Sequence, residues 1–418
     1  MLQRTAHSLR QSNQAFIATR IRVCDHCRSA MTNPESCHSK SWRSTLSPVY
    51  EFPIWLAFAF FLLPIAMVAV TSEGQINDDA PSTIVTSDQT QHVPIVIGHR
   101  GASGYLPEHT TESAVLAHAM LADYIEQDVV LSKDGVPVVL HDLVLDDVTN
   151  AATVFPDRKR ADGHWFALDF TLDELRMLTI TERRSPSRPW KDKGTRFPLE
   201  SGGFRISTLA EHLQLIQGLN KTRPHQAGVY VEIKCPAEHR AAGFDLSKAV
   251  LDVLGQYGYE SADDWIYLQC FDEAEVRRLR NELKTQMLII QLLSDLADAA
   301  KLKTIAEVAD GVGVPLNHVI TGKDKDGVPL FTELVHNAHA NALQVHVWTF
   351  RTDSLPAFAD SATEYLEWLV VAGGVDGIFA DQPDVVVQWR ATRRQQVNGG
   401  NQFHLLNDRR KEKPRPEK

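Results

Sequence analysis

Residues 95–142 read IVIGHRGASGYLPEHTTESAVLAHAMLADYIEQDVVLSKDGVPVVLHD, and in them the polar clusters follow apolar runs. Residues 93–97 form an unbroken β-type run that delivers Gly98-His99-Arg100-Gly101, where the glycines permit a tight turn or a close approach to a ligand. Thr110 then opens an Ala- and Leu-rich helix with Glu112 in its first turn, and this helix returns the chain to a second apolar run, 124–131. Strand, helix, strand is the opening of a parallel α/β architecture.

The second run carries Glu126-Gln127-Asp128, and the two-residue period of a strand puts both carboxylates on one face. Adjacent anions repel, so the pair calls for a divalent cation or a cationic ligand between them; oxygen ligands of this kind suit Mg²⁺ or Ca²⁺ better than Zn²⁺. Asp134-Gly135 lies between alternating apolar stretches, a strong hairpin signal. A two-residue turn there sets His141 opposite Asp128. A bulge at Gly135 would slip the pairing by one residue, and a longer crossover is the remaining reading. A lone strand-end histidine is ordinarily a structural residue and a lone E-x-D a solvated face; the combination in one stretch points to a site.

The chain has 418 residues, room for one large barrel with appendages or for two or three average domains. Its formal net charge of −10, with no basic stripe in the body, argues against non-specific nucleic-acid binding. Residues 1–51 are polar and basic and read as a tail without a core. Cys24, Cys27 and Cys37, with His26 and His38, offer zinc-type ligands at a spacing that fits no standard finger; a start at Met31 would remove two of the three cysteines. Residues 52–70 are nineteen without a charge, long enough to cross a bilayer, with a kink at Pro64. Basic residues precede this segment and no Lys or Arg follows before Arg100, so the positive-inside rule places everything after Val70 outside the cytoplasm. The stretch 52–71 is then a cleaved signal or a membrane anchor, 72–92 a flexible spacer, and 391–418 a disordered tail.

After His141 comes an excursion, 143–205, too long for an ordinary connection, with a short helix capped by Thr171 and Glu174. It shapes substrate access or is a plain structural flap. Beyond it, Thr208 with Glu211 caps a helix, and Asp272 with Glu275 another. Apolar runs at 229–234, 265–270, 287–292, 311–314, 343–348 and 375–380 alternate with helical patterns and, with the first two, make eight. The expectation is an α/β fold of the (β/α)₈ TIM-barrel type over 93–390, with the run 136–141 as a hairpin return or a ninth strand. Strand carboxyl ends share one mouth, so His99, Arg100, Glu126, Asp128, Glu232, Lys234, Gln269, Trp348 and Asp381 can converge. Three carboxylates offer a site for one divalent cation, two fixed cations attract an anion, and two histidines can move protons. A phosphodiester fits such a site. Gln269, Phe271 and Trp348 are substrate-side candidates, although strand-end aromatics are commonly core. Cys235 and Cys270 are expected to be buried unpaired rather than joined.

The motifs HRG at 99–101, PEHT at 107–110, EQD at 126–128, SKDG at 132–135 and VVLHD at 138–142 give the chain a resemblance to the glycerophosphodiester phosphodiesterases. The resemblance covers about 93–390 and extends to FPDRKRADG, DFTLDEL, YVEIK, YLQCFD and VDGIFADQPD, details typical of the exported bacterial branch. It implies a barrel enzyme that cleaves deacylated phospholipids, such as glycerophosphocholine, to sn-glycerol 3-phosphate and an alcohol through attack of the glycerol 2-hydroxyl. By motif position it implies His99 as general base, His141 as general acid, Glu126, Asp128 and Glu232 as ligands of one Ca²⁺ or Mg²⁺, and Arg100 and Lys234 on the phosphate, with Glu108 in support. The cysteine-bearing leader and the Arg- and Pro-rich 185–199 depart from the pattern. Two competing readings remain: a phospholipase-D-like hydrolase of lysophospholipid or sphingomyelin on the same barrel, which needs an apolar rim, and an inactive surface binding protein, which needs none of the catalytic set. The sequence names a small-molecule partner, with membrane attachment possible through 52–70, and no oligomeric state.

Overall fold

The structure is a computed structural model that describes residues 93–184 and 196–395. The expectations for the leader with its cysteines, the apolar segment, the spacer and nearly all of the tail fall outside these residues. Among the described residues no helix is long and apolar enough to cross a membrane.

The strands are β1 (Ile95–Gly98), β2 (Tyr124–Leu131), β3 (Pro137–Val139), β4 (Gly228–Ile233), β5 (Ile266–Cys270), β6 (Leu288–Leu292), β7 (Gly311–Pro315), β8 (Ile320–Lys323), β9 (Pro329–Phe331), β10 (Gln344–Phe350) and β11 (Gly377–Ala380). β1, β2, β4, β5, β6, β7, β10 and β11 are parallel neighbours, and pairing of β1 with both β11 and β2 closes them into the expected eight-stranded barrel. β3 is a hairpin return, antiparallel on β2 and outside the barrel. β8 and β9 form a separate hairpin that no apolar run announced.

The helix starts follow their capping residues. Thr110 accepts from Ser113 N at 3.1 Å to begin the helix Thr111–Ala119, and both Thr171/Glu174 and Thr208/Glu211 form reciprocal capping boxes. Asp272 caps the helix Glu273–Asn281. The helices lay Ala114, Ala117, Leu213, Ile216, Val250 and Leu254 against outward strand residues such as Val96, Ile125, Val229 and Val231, all buried. A smaller cluster, Ile97, Tyr230, Tyr267, Ile290 and Phe379, fills the inside of the barrel, with Tyr230 and Tyr267 stacked at 4.9 Å.

The hairpin expectation needs one correction. Val129 pairs with Val139 and Leu131 with Pro137, one residue away from the register of a two-residue turn. Gly135 takes φ +77°, its N–H donates to Ser132 O, and Ser132 N donates to Val136 O. This is a three-residue turn closed by a left-handed glycine, a G1 bulge, and it absorbs the extra residue. Leu140, not His141, therefore lies opposite Asp128, its N–H donating to Asp128 O at 2.9 Å.

The hairpin face that continues from Asp128, comprising Val130, Val138 and Leu140, seeds a third cluster. The inserted stretch supplies all the other buried members but Ile206, including Leu145, Phe170, Leu175, Leu178, Ile180 and Phe204. The described part of the excursion is thus packed on the barrel with a core of its own.

Candidate active site

Side chains of alternate residues face the same side of a strand, so the residue two positions beyond each interior ring sits one layer nearer the mouth. Ile97 is followed by His99, Tyr124 by Glu126 and Asp128, Tyr230 by Glu232, Tyr267 by Gln269, and Phe379 by Asp381. The parallel register then sets Asp128 beside Glu232, and Glu232 beside Gln269. An aromatic and aliphatic floor therefore carries a polar layer, and all of these polar residues are buried.

Ligand oxygens of Glu126, Asp128 and Glu232 all lie within 4.8 Å of one another. Gln269 Nε2 donates to Glu126 Oε1 at 2.8 Å, and Arg100 N donates to Glu126 Oε2 at 2.9 Å. Lys234 Nζ is 2.7 Å from Glu232 Oε1 and 4.0 Å from Asp128 Oδ1. Burial, and then the charge of Asp128, pushes Glu126 up to about 8. Burial likewise raises Glu232 well above the carboxylate range, against the pull of Lys234. Asp128 goes the other way: burial would raise it, but Lys234 and His109 hold it well below its ordinary value. Three buried carboxylates that cannot all ionise unaided, with Asp128 Oδ1 buried and lacking a hydrogen-bond partner among the described residues, fit a hard divalent cation.

His99 leaves β1 with Nδ1 2.6 Å from Asp381 Oδ1 and Nε2 3.8 Å from Glu126 Oε2. His141 has Nδ1 2.6 Å from Asp142 Oδ1, and its charge couples to Arg100, Lys234 and Asp128. Burial, followed by Arg100, lowers His99 to about 4; burial, followed by Arg100 and Lys234, lowers His141 to about 3. Both imidazoles are neutral near pH 7 and can accept a proton. Arg100 adopts φ +57° and sends Nη1 to Glu108 Oε1 at 2.9 Å, with Nε 3.5 Å from Asp128 Oδ2. Gly101 follows with φ +86°, and a Cβ there would fall 2.5 Å from Ser113 Oγ, so the HRG turn needs its glycine. Phe271 and Trp348 meet edge to face at 5.9 Å, and Lys234 Nζ lies 5.9 Å from the Phe271 ring. Cys235 and Cys270 are not bonded to each other.

Of the expected residues, contacts join His99, Arg100, Glu126, Asp128, Glu232, Lys234, Gln269 and Asp381 in one polar layer. His141 reaches that layer through its charge effects and its bond to Asp142, and Phe271 and Trp348 touch each other. Two of the expected roles are adjusted. Gln269 holds a carboxylate, and Lys234 rests on Glu232. Sequence reasoning missed His109, whose Nε2 donates to Asp128 Oδ2 at 2.7 Å, and the arginines Arg183, Arg196 and Arg351, which hold Asp142, Asp381 and Glu108. His109 stood within the PEHT motif and could have been found there. Arg183 and Arg196 lie in the aperiodic insertion and carried no signal.

Residues 99–385 match the family model described as the glycerophosphoryl diester phosphodiesterase family. The chain belongs to this family. A glycerophosphodiester phosphodiesterase of Haemophilus influenzae is 36% identical over 339 residues, 74% of this chain and 93% of that protein. One of Treponema pallidum is 35% identical over 324 residues, 71% and 91% of the two chains. The same barrel is found in a solved structure from Silicibacter pomeroyi (TM-score 0.55, 24% identical, covering 72% of this chain and 95% of that one). It recurs in an Oleispira antarctica phosphodiesterase in complex with the product sn-glycerol-3-phosphate (TM-score 0.50, 21% identical, 71% and 96%).

Proposed function

We propose that the chain hydrolyses glycerophosphodiesters, deacylated phospholipids such as glycerophosphocholine, to sn-glycerol 3-phosphate and an alcohol. The observation that carries this reading is the buried trio Glu126, Asp128 and Glu232 with the imidazole of His99 3.8 Å from Glu126 and the field of Arg100 and Lys234 across the same pocket. Glu126, Asp128 and Glu232 would hold one divalent cation, Ca²⁺ or Mg²⁺, which when bound supplies positive charge to the phosphoryl oxygens. Arg100 and Lys234 bind the phosphate, and Phe271 and Trp348 flank the glycerol or the leaving group.

His99 takes the proton of the glycerol 2-hydroxyl as its oxygen bonds to phosphorus. The bond from phosphorus to the departing alkoxide breaks, and His141 gives that alkoxide a proton, leaving a cyclic phosphate. Water then opens the ring with the two histidines in reversed roles, each transfer worth about 10²–10⁴ in rate. An arriving diester anion offsets Arg100 and Lys234, the charges that keep His141 unprotonated, and so favours the imidazolium that the first step requires.

The test is release of sn-glycerol 3-phosphate from glycerophosphocholine and glycerophosphoethanolamine by the full-length chain, with Ca²⁺, with Mg²⁺ and after EDTA. Turnover should vanish with EDTA and fall by about 10²-fold or more in His99→Ala and His141→Ala; undiminished turnover in either variant defeats the role given to that histidine. Faster hydrolysis of lysophospholipid micelles than of the soluble diesters would favour a lipid hydrolase instead.

The reading places the barrel outside the cytoplasm, on the strength of the basic residues before 52–70 and their absence from 71–99. Protease added to intact cells should then digest an anchored barrel, or the activity should appear in the extracytoplasmic fraction; protection inside the cytoplasm overturns it.

A further inference from the structure

Asp381 and Asp142, far apart in sequence, are used in the same way. Asp381 turns Oδ1 to His99 Nδ1 and Oδ2 to Arg196 Nη2 at 2.7 Å, with Arg351 Nε also on Oδ2 at 2.8 Å. Asp142 turns Oδ1 to His141 Nδ1 and Oδ2 to Arg183 Nη1. In both, a carboxylate bridges an imidazole and a guanidinium, the latter from the inserted stretch 143–205; Asp381 carries a second guanidinium as well, that of Arg351 just after β10. Arg183 also donates from Nε to Glu108 Oε2 at 3.0 Å, the carboxylate that holds Arg100. Arg196 also donates to Asp353 Oδ2 and to Ser103 O, each at 2.7 Å. The side chains of Arg183 and Arg196 are 5% and 6% exposed, so neither is a surface charge that merely finds a neighbour.

We infer that Arg183 and Arg196 are positioning residues through which the insertion sets the orientation and tautomer of both acid–base histidines. An ionised carboxylate only accepts, so each imidazole carries its proton on Nδ1 and turns Nε2 to the pocket. A carboxylate free to rotate would not fix that choice, and a guanidinium on its second oxygen removes the rotation. The plainer reading gives the two arginines only the task of fastening the insertion to the barrel. The two differ in what happens to chemistry when the fold is kept.

The inference rests on the roles given to His99 and His141, and the leaving group separates the two histidines. The choline alkoxide needs a proton to depart; p-nitrophenolate does not. Full-length variants are compared on glycerophosphocholine and on the p-nitrophenyl ester of glycerol 3-phosphate, with thermal melting to confirm folding. His141→Ala should lose about 10²-fold or more in kcat on the choline diester and far less on the nitrophenyl ester. Arg183→Lys keeps the charge and loses the fork, and should reproduce that split at about tenfold or more. Arg196→Lys should slow both esters alike and add nothing further in a His99→Ala background, the non-additivity expected of one pathway. If Arg183→Lys does not fold, Asp142→Asn breaks the same chain at its middle and should show the same split; Asp381→Asn serves for Arg196. Equal losses on the two esters in the Arg183 and Asp142 variants, unchanged kcat in them, or an additive loss of Arg196→Lys on His99→Ala overturns the inference. A His141→Ala enzyme that itself treats both esters alike overturns the acid role first, an outcome distinct from Arg183 variants that depart from a well-behaved His141→Ala.

Discussion

His109 Nε2 sits 2.7 Å from Asp128 Oδ2, which leaves Oδ1, buried and without a hydrogen-bond partner among the described residues, as the oxygen open to a cation. A carboxylate held at one oxygen presents the other in a fixed direction, as an outer hydrogen bond does for a cation ligand. His109→Ala should therefore weaken cation binding by about 10–100-fold while leaving both acid–base histidines in place. Titration of EDTA-treated enzyme with Ca²⁺ or Mg²⁺, followed by recovery of turnover, measures this; an unchanged half-saturating concentration refutes it.

The acid trio also has a consequence for stability. With burial raising Glu126 and Glu232, a cation that binds only the folded chain should stabilise it. At about a hundredfold excess over its dissociation constant the gain is about 2.7 kcal/mol, a rise of several degrees in melting temperature for a domain of this size. The Glu126→Gln/Glu232→Gln double variant should show no rise and, without cation, should melt no lower than the native chain. A rise that persists in the double variant places the cation elsewhere.

The barrel was legible because its strands are apolar runs and several of the helices open on a capping residue, both local signals. The E-x-D pair was legible for the same reason: two positions on one strand must share a face. The hairpin register was legible only as an alternative, the bulge at Gly135, because it hangs on that residue's φ, which no pattern of apolar residues records. Arg183 and Arg196 were not legible. Their partners lie 75 residues away at Glu108 and 185 away at Asp381, and the insertion that carries them has no period to place them.

That glycine makes a prediction of its own. Gly135 has room for a side chain, with Phe244 Cε1 3.6 Å from a built Cβ, but its φ is +77°. Gly135→Ala should cost about 1–2 kcal/mol from backbone conformation alone, and Gly135→Asn less, since asparagine tolerates the left-handed region. Urea midpoints of the two variants give the comparison; equal costs would mean that contact, not conformation, sets the penalty.

His212 faces inward from the helix Leu209–Thr222 and is 1% exposed. Burial, reinforced by the charge of His109, lowers it from 6.5 to about 3. The unfolded chain takes up this proton below about 6.5, whereas the folded chain refuses it until about 3. Between those values the unfolded state binds more protons, so stability is complete above the upper one and falls as pH drops toward the lower. From pH 7 to pH 5 this group alone should remove about 2 kcal/mol. His212→Leu cannot take up the proton in either state, and its urea midpoint should fall less over the same interval, at fixed ionic strength and with EDTA present. Parallel declines in the variant and the native chain would show that His212 is protonated within the fold, and that the burial assigned to it is relieved in solution.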